Sequence, residues 1–428
     1  MSRYALVFGA CAILASGAYA QFDSENVDLL SHLTPAQMGG SGGADLWGYV
    51  SPSGREYALV CLTTRLVVVE VTDPDRPVIV GNVPYNNCTP VDAKVYSHYV
   101  YVAKCSGGIA IVDLAGVDDG EVVLVKNYTE GGISESHNIA INEDTGFLYL
   151  CIGNINSGRP VAIDLADPEN PSIAGQMTSG NGGVRQHDLQ AVLYTEGKYA
   201  GKEILFGAAE GNGFHIVDAT DKQNMVKLAS LTYPGLSYAH NCWVSEDRQY
   251  VYLGDELDDG FIAGTRTMIF NVADLEDPAY VGHFTNGVTA TDHNLYVKGD
   301  FIYEANYNSG MRVFDASSPE EPVEIAWFDT YPPNDNYGFD GAWTAYPYLP
   351  SGNIIVNDRA FGLFVLDVIG DDDCSADFNG DGNLDILDFI AFQNAFTSAD
   401  PGADCDDNGA LNILDFVCFQ GLFQAGCP

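Results

Sequence analysis

Ile109-Ala110-Ile111-Val112-Asp113 is a short apolar run closed by an acid, and its pattern recurs along most of the chain. Copies stand at 66–70, 161–164, 214–218, 268–271, 311–315 and 363–367, giving seven in all, with Asn271 replacing the acid once. Several lead into a breaker and a further apolar run, as in Asp73-Pro74-Asp75-Arg76-Pro77 before Val78-Ile79-Val80. Proline fixes φ and cannot donate to a ladder, so these are tight turns between strands. A second marker keeps step with the first: Asp45, Asp92, His137, His187, His240, His293 and Asp340 are spaced by 47, 45, 50, 53, 53 and 47 residues. Each precedes an alternating stretch and then a strand such as 99–103, 204–208 or 301–305.

Each unit therefore reads as four short antiparallel strands in roughly fifty residues, a sheet that cannot bury both faces alone. Seven such units stacked radially predict an all-β, seven-bladed β-propeller over 21–369. A β-helix or paired sandwiches would show a shorter repeat or none. The seventh unit supplies only three strands before Gly370. The run Val27-Asp28-Leu29-Leu30-Ser31-His32 is the expected fourth, which would close the ring and remove an open edge. These strings resemble the LVIVD-repeat propellers of bacterial secreted proteins, especially the choice-of-anchor B family. The nearest stretches are Gly254-Asp255-Glu256-Leu257-Asp258, Asp292-His293-Asn294-Leu295-Tyr296-Val297 and Phe339-Asp340-Gly341-Ala342-Trp343. The resemblance implies the fold and an extracellular or cell-surface location, and carries no general activity.

The 428 residues hold 59 Asp+Glu against 18 Lys+Arg, a formal charge of −41 that leaves too few cations to bind a phosphate backbone. Aromatics at 11% separate the chain from acidic disordered segments. Residues 1–20 read as a secretory signal: Arg3, an apolar run over 5–15, then Ala18-Tyr19-Ala20 as cleavage site. No later stretch is long and apolar enough to span a bilayer as a helix. Nine cysteines remain beyond it, five at 61–242 and four at 374–427. The odd number in the larger group leaves at least one thiol unpaired there, and the last four admit three pairings.

Beyond a linker at 370–373 the composition changes: residues 371–428 contain twelve Asp and no Lys or Arg. Two copies of one motif lie 27 residues apart. Asp377, Asn379, Asp381, Asn383, Asp385 and Asp388 match Asp404, Asp406, Asn408, Ala410, Asn412 and Asp415. Oxygen side chains fall at loop positions 1, 3, 5, 9 and 12, with a backbone carbonyl expected at 7 and glycine at 6, the cage that Ca²⁺ requires. Two EF-hand-like loops, two Ca²⁺ ions and a helix after each are expected. Such duplicated loop–helix units look like a dockerin, and with their cysteines they resemble the GC-type dockerin. That resemblance implies a small α-helical module over 374–428 that docks on a cohesin-like scaffold or cell-surface protein. Its partner-reading positions correspond to Ile386, Leu387, Ile413 and Leu414, which depart from the Ser/Thr pair of the best-known dockerins. The alternative role for these four is packing the two helices together.

Antiparallel neighbours place the start of each innermost strand and the end of the next strand on one face. His137, His187, His240 and His293 would then meet Glu210, Asp255, Glu256 and Asp358 around the channel, opposite Asp45, Asp92 and Asp340. Such a set could hold Zn²⁺ or another transition metal and activate water. Polar residues repeated at one strand position could equally serve the blades' own backbone groups. No nucleophile elbow, phosphate loop, dinucleotide fingerprint or HExxH motif is present. The leading expectation is thus a secreted, calcium-anchored propeller binding a glycan or protein ligand. The alternative is a dockerin-bearing polysaccharide hydrolase or lyase using the axial histidines and carboxylates.

Overall fold

A computed structural model describes residues 22–258, 264–369, 376–379, 384, 386–398, 401–405 and 410–425. The expected signal segment 1–20 and linker 370–373 lie outside the described residues, as do Cys374 and Cys427.

Seven sheets are present, all antiparallel. Their innermost strands are Gly43–Val50, Asp92–Tyr96, Ser136–Asn142, Asp188–Leu193, Ala239–Val244, Leu295–Lys298 and Ala342–Tyr346, taken here as blades 1 to 7. Each innermost strand packs against that of the next blade, and the seventh returns to the first. The architecture is a seven-bladed β-propeller, joined in the chain by a two-helix C-terminal region.

The repeated strand-plus-acid string has a local cause. The third strand of a blade is buried along its apolar run, as in Ile109–Asp113. The closing side chain then turns back onto the chain two residues later: Asp113 accepts from Ala115 N, Asp164 from Ala166 N, Asp218 from Thr220 N, Asn271 from Ala273 N and Asp315 from Ser317 N, all at 2.7–3.1 Å. This Asx-type turn ends the strand and starts the corner, which contains proline after Asp164, Asn271 and Asp315. Tyrosines then join blade to blade: Tyr101 OH donates to Pro168 O at 2.8 Å, and Tyr252 OH to Pro319 O at 3.1 Å. Glycine serves one such close approach, because a β-carbon on Gly175 would collide with the backbone carbonyl of Lys222 in the next blade.

The expected closure forms. Val27–Leu33 pairs with Gly362–Val368 as the fourth strand of blade 7, from Val27 opposite Val368 to Leu33 opposite Leu363. Ser24–Glu25 adds a fifth strand to blade 6 through Ser24 opposite Phe328.

Of the five propeller cysteines, Cys88 and Cys105 form a disulfide, and Cys61, Cys151 and Cys242 are buried free thiols. In the C-terminal region Cys405 bonds Cys418. Helices α1 (Ile386–Ser398) and α2 (Ile413–Ala425) pack through phenylalanines, with Phe392 stacked on Phe419 at 4.2 Å between ring centroids.

Candidate metal centre on the propeller axis

A His-Asn or His-Asp dipeptide opens the innermost strand in four consecutive blades: His137-Asn138, His187-Asp188, His240-Asn241 and His293-Asn294. Neighbours in an extended chain point to opposite sides, so each dipeptide supplies two different layers of the channel.

The second residues build a belt. Lys94 reaches Asp45 at 3.2 Å, joining blades 1 and 2, and Asp92 accepts from Ile139 N at 2.7 Å, joining 2 and 3. Asn138 donates to His187 O at 3.2 Å, Asn241 to Asp188 at 2.8 Å, and Leu295 N to Asn241 at 3.0 Å. Asn294 donates to Thr344 at 2.9 Å, and Thr344 donates to Asp45, which closes the circle. Lys94 also bonds Asp92, so one ammonium lies between two buried carboxylates and its pKa is pushed well above the ordinary lysine range. Asp45 and Asp92 therefore serve the scaffold. Asp340 is exposed and stays out of the channel, within 3.4 Å of Tyr331 OH.

The histidines form a ladder around the axis. Ring centroids are 4.6 Å apart for His137–His187, 4.0 Å for His187–His240 and 4.3 Å for His240–His293. His187 Nδ1 is 2.9 Å from His240 O, and His293 Nδ1 is 2.6 Å from Trp343 O. His240 Nδ1 faces the backbone of His293 without closing a full hydrogen bond. A carbonyl can only accept, so in His187 and His293 the proton is on Nδ1 and Nε2 keeps its lone pair. Burial holds His187, His240 and His293 well below the ordinary imidazole range, and brings His137 down to about 4.

Glu256 enters this ladder from the end of the second strand of blade 5. Its Oε2 is 3.6 Å from His240 Nε2, and Tyr307 OH donates to Oε1 at 3.0 Å. Donor atoms of His240, Glu256 and His293 all lie within 4.8 Å of one another. Burial raises the Glu256 carboxyl to about 7, against smaller opposing effects of Tyr307 and Arg359. The set fits a borderline metal ion: two imidazole nitrogens and one carboxylate oxygen. Tetrahedral Zn²⁺ ligands at bond lengths of about 2.0–2.1 Å stand roughly 3.3 Å apart, close to the His240–Glu256 separation. The Trp343 carbonyl at His293 Nδ1 is the kind of outer partner that fixes a ligating imidazole.

The other expected carboxylates do different work. Glu210 accepts from Arg185 at 2.9 Å and from Tyr238 OH at 3.0 Å. Asp255 accepts from Tyr233 OH, Ser237 N and Tyr238 N at 2.6–2.8 Å, holding a loop of its own blade. Asp358 does the same in blade 7 through Ala360 N, Phe361 N and Thr330 OH, each at 2.7 Å. Alternation explains the split between adjacent Asp255 and Glu256: one faces the loop, the other the axis. Tyr307 was not among the residues expected at the axial site. It holds φ of 35°, and Glu210 holds 52°, left-handed conformations that side-chain-bearing residues seldom keep without a local reason.

Glu304 ends the second strand of blade 6, buried and away from the cluster. Thr267 OH donates to one oxygen and Asn306 to the other at 3.0 Å, while burial raises its pKa to about 7 from 4.5. The folded form thus holds its proton more tightly than the unfolded chain, and stability falls as pH rises from 4.5 to 7. The span corresponds to about 3 kcal/mol. Glu304→Gln cannot ionise, so urea unfolding at pH 8 and pH 4.5 should show the variant gaining on wild type at the higher pH. Parallel pH profiles for the two proteins would contradict this.

In the C-terminal region the described loop residues are Asp377, Asn379, Asp388, Asp404, Ala410, Asn412 and Asp415, whereas Asp381, Asn383, Asp385, Asp406 and Asn408 lie outside the described residues. Asp388 and Asp415, at position 12 of each loop, are fully buried at the first turns of α1 and α2. Ile386, Leu387, Ile413 and Leu414 are 67%, 50%, 71% and 55% exposed. Among the described residues no helix is long and apolar enough to cross a membrane.

Two stretches, 91–129 and 292–330, match the family model described as LVIVD repeat. No curated protein matches the chain in sequence. Solved structures are similar in fold. A crystal structure of a protein from Lactobacillus plantarum has a TM-score of 0.51 at 14% identity, covering 68% of this chain and 84% of that one. The structure of U3-55K gives 0.54 at 9% identity, over 80% and 98%. The RRP9 WD40 repeats give 0.54 at 10% identity, over 81% and 100%. The chain is thus a seven-bladed β-propeller carrying LVIVD repeats.

Proposed function

We propose that this protein is an exported, metal-dependent hydrolase or lyase acting on an extracellular polysaccharide, with the ion held by His240, His293 and Glu256. The convergence of these three donor groups on the axis carries the reading. A Zn²⁺-class ion bound there would supply Lewis-acid polarisation and an acidified water. The chain's own groups do the rest. The Trp343 carbonyl aims the His293 imidazole, and Tyr307 fixes the Glu256 carboxylate. Arg185 and Arg359 act electrostatically on the histidines from the same mouth. Two guanidiniums beside one cluster are conspicuous in a chain with 18 Lys+Arg, and they favour an anionic, uronate-containing substrate.

Anchoring belongs to the same proposal. Signal cleavage after Ala20 would leave Phe22 near the new terminus, where its ring packs 5.0 Å from Phe364 of blade 7. Buried Asp388 and Asp415 suit the position-12 ligands of two Ca²⁺ loops, and each also draws its own loop backbone in, accepting from Asn379 N at 3.3 Å and from Asn412 N at 2.6 Å. The exposed Ile386-Leu387 and Ile413-Leu414 pairs suit a docking surface for a cohesin-like scaffold protein better than helix packing, which phenylalanines supply.

The test is turnover by the full chain on uronate-containing and neutral polysaccharides, with Zn²⁺ or Mn²⁺ added and with chelator, in excess Ca²⁺. Metal-dependent cleavage of an acidic polymer, lost in Glu256→Gln, is expected. An ion bound on the axis with no turnover on any polymer would reassign the propeller as a ligand- or protein-binding module.

A further inference from the structure

The far mouth of the channel, beyond the polar belt, opens into a cavity of about 240 Å³ lined by Trp47, Trp243, Tyr296, Lys94 and Asp188. Trp47 and Trp243 each meet the Tyr296 ring at 75°, with centroids 5.8 and 4.8 Å away. Two indoles standing across one phenol make three sides of an aromatic box. Asp188 belongs to the lining, and Glu143 and Asp144 form an exposed acidic rim. The single cation in this lining, the Lys94 ammonium, is 4.5 Å from the Trp47 ring centroid and bonded to two carboxylates.

We propose that this mouth is a binding site for a small organic ammonium ion, independent of the metal centre at the other end. The faces of aromatic rings attract cations, and desolvated boxes of them select quaternary ammonium groups. Lys94 shows that Trp47 already accepts an ammonium. Its charge is balanced by Asp45 and Asp92, so Asp188, Glu143 and Asp144 leave the mouth negative. The volume lies below the ~300–1,000 Å³ of drug-sized sites, which suits a single trimethylammonium head with a short tail.

Choline and its neutral isostere 3,3-dimethylbutan-1-ol separate charge from shape. Titration of the full-length protein, followed by tryptophan fluorescence and calorimetry, should give saturable choline binding at least tenfold tighter than the alcohol. Trp243→Ala should abolish it. The rim variant Glu143→Gln/Asp144→Asn, which leaves the box intact, should weaken it severalfold and provides the test if the tryptophan variant does not fold. Equal affinity for alcohol and choline, tighter binding of glucose than of choline, or no saturable response to choline would each overturn the proposal.

Discussion

Replacing His240 with alanine is expected to lower Zn²⁺ affinity by at least a hundredfold, with His293→Ala giving a similar loss. Each removes one of three protein donors, whereas loss of an outer partner alone typically costs about 10–100-fold. Tyr307→Phe belongs to that milder class, since it removes only the hydrogen bond that orients Glu256. Equilibrium dialysis in millimolar Ca²⁺, added to compete for any carboxylate site in the C-terminal region, isolates the axial ion. The belt of Asp45, Asp92, Asn138, Asp188, Asn241, Asn294 and Thr344 leaves ring closure independent of the His240 imidazole. The variant should therefore keep its fold, which circular dichroism checks. Unchanged Zn²⁺ affinity in both histidine variants would remove the site.

Removal of residues 22–33 should cost about 5 kcal/mol or more, comparable with the whole stability of many domains. The segment closes blade 7 and reaches across to blade 6. Asn26 bonds Ile325 O at 2.7 Å and accepts from Ile369 N at 2.8 Å, while His32 Nε2 lies 2.7 Å from Phe361 O. Phe22 packs on Phe328, Phe361 and Phe364, and Val27 is buried. Truncation would bare the edge Gly362–Val368 and the apolar side chains beneath it, inviting strand addition from another molecule. Thermal unfolding should drop by more than ten degrees, and size-exclusion chromatography should show association. Phe22→Ala/His32→Ala, which keeps the strand, should lose about 2–4 kcal/mol. A truncated chain melting within two degrees of wild type would refute this role.

The propeller was legible because its period is written in local chemistry: an Asp or Asn that caps five of the third strands, and in several blades a proline that forbids continuation. Closure by 27–32 was legible for a related reason, since the seventh unit was one strand short. The axial layer was half legible. The spacing of His137, His187, His240 and His293 shows that they share a face, but Glu256 reaches His240 only through strand alternation and the twist between blades. Asp255, its neighbour, carries the same charge and was grouped with it, yet loop backbone and Tyr233 occupy its oxygens. The polar belt had a signal in the residue after each histidine, Asn138, Asp188, Asn241 and Asn294. Tyr307 had none, because its role follows from a left-handed backbone conformation. Trp47, Trp243 and Tyr296 come from three blades and meet only when the ring is assembled.

Zinc K-edge X-ray absorption of the full-length protein, loaded with one equivalent of Zn²⁺ in millimolar Ca²⁺, examines the axial centre directly. Two imidazoles at about 2.0–2.1 Å with carboxylate and water oxygens completing the shell are predicted. A shell of oxygens alone, with no imidazole scattering, would place the ion elsewhere and contradict the account.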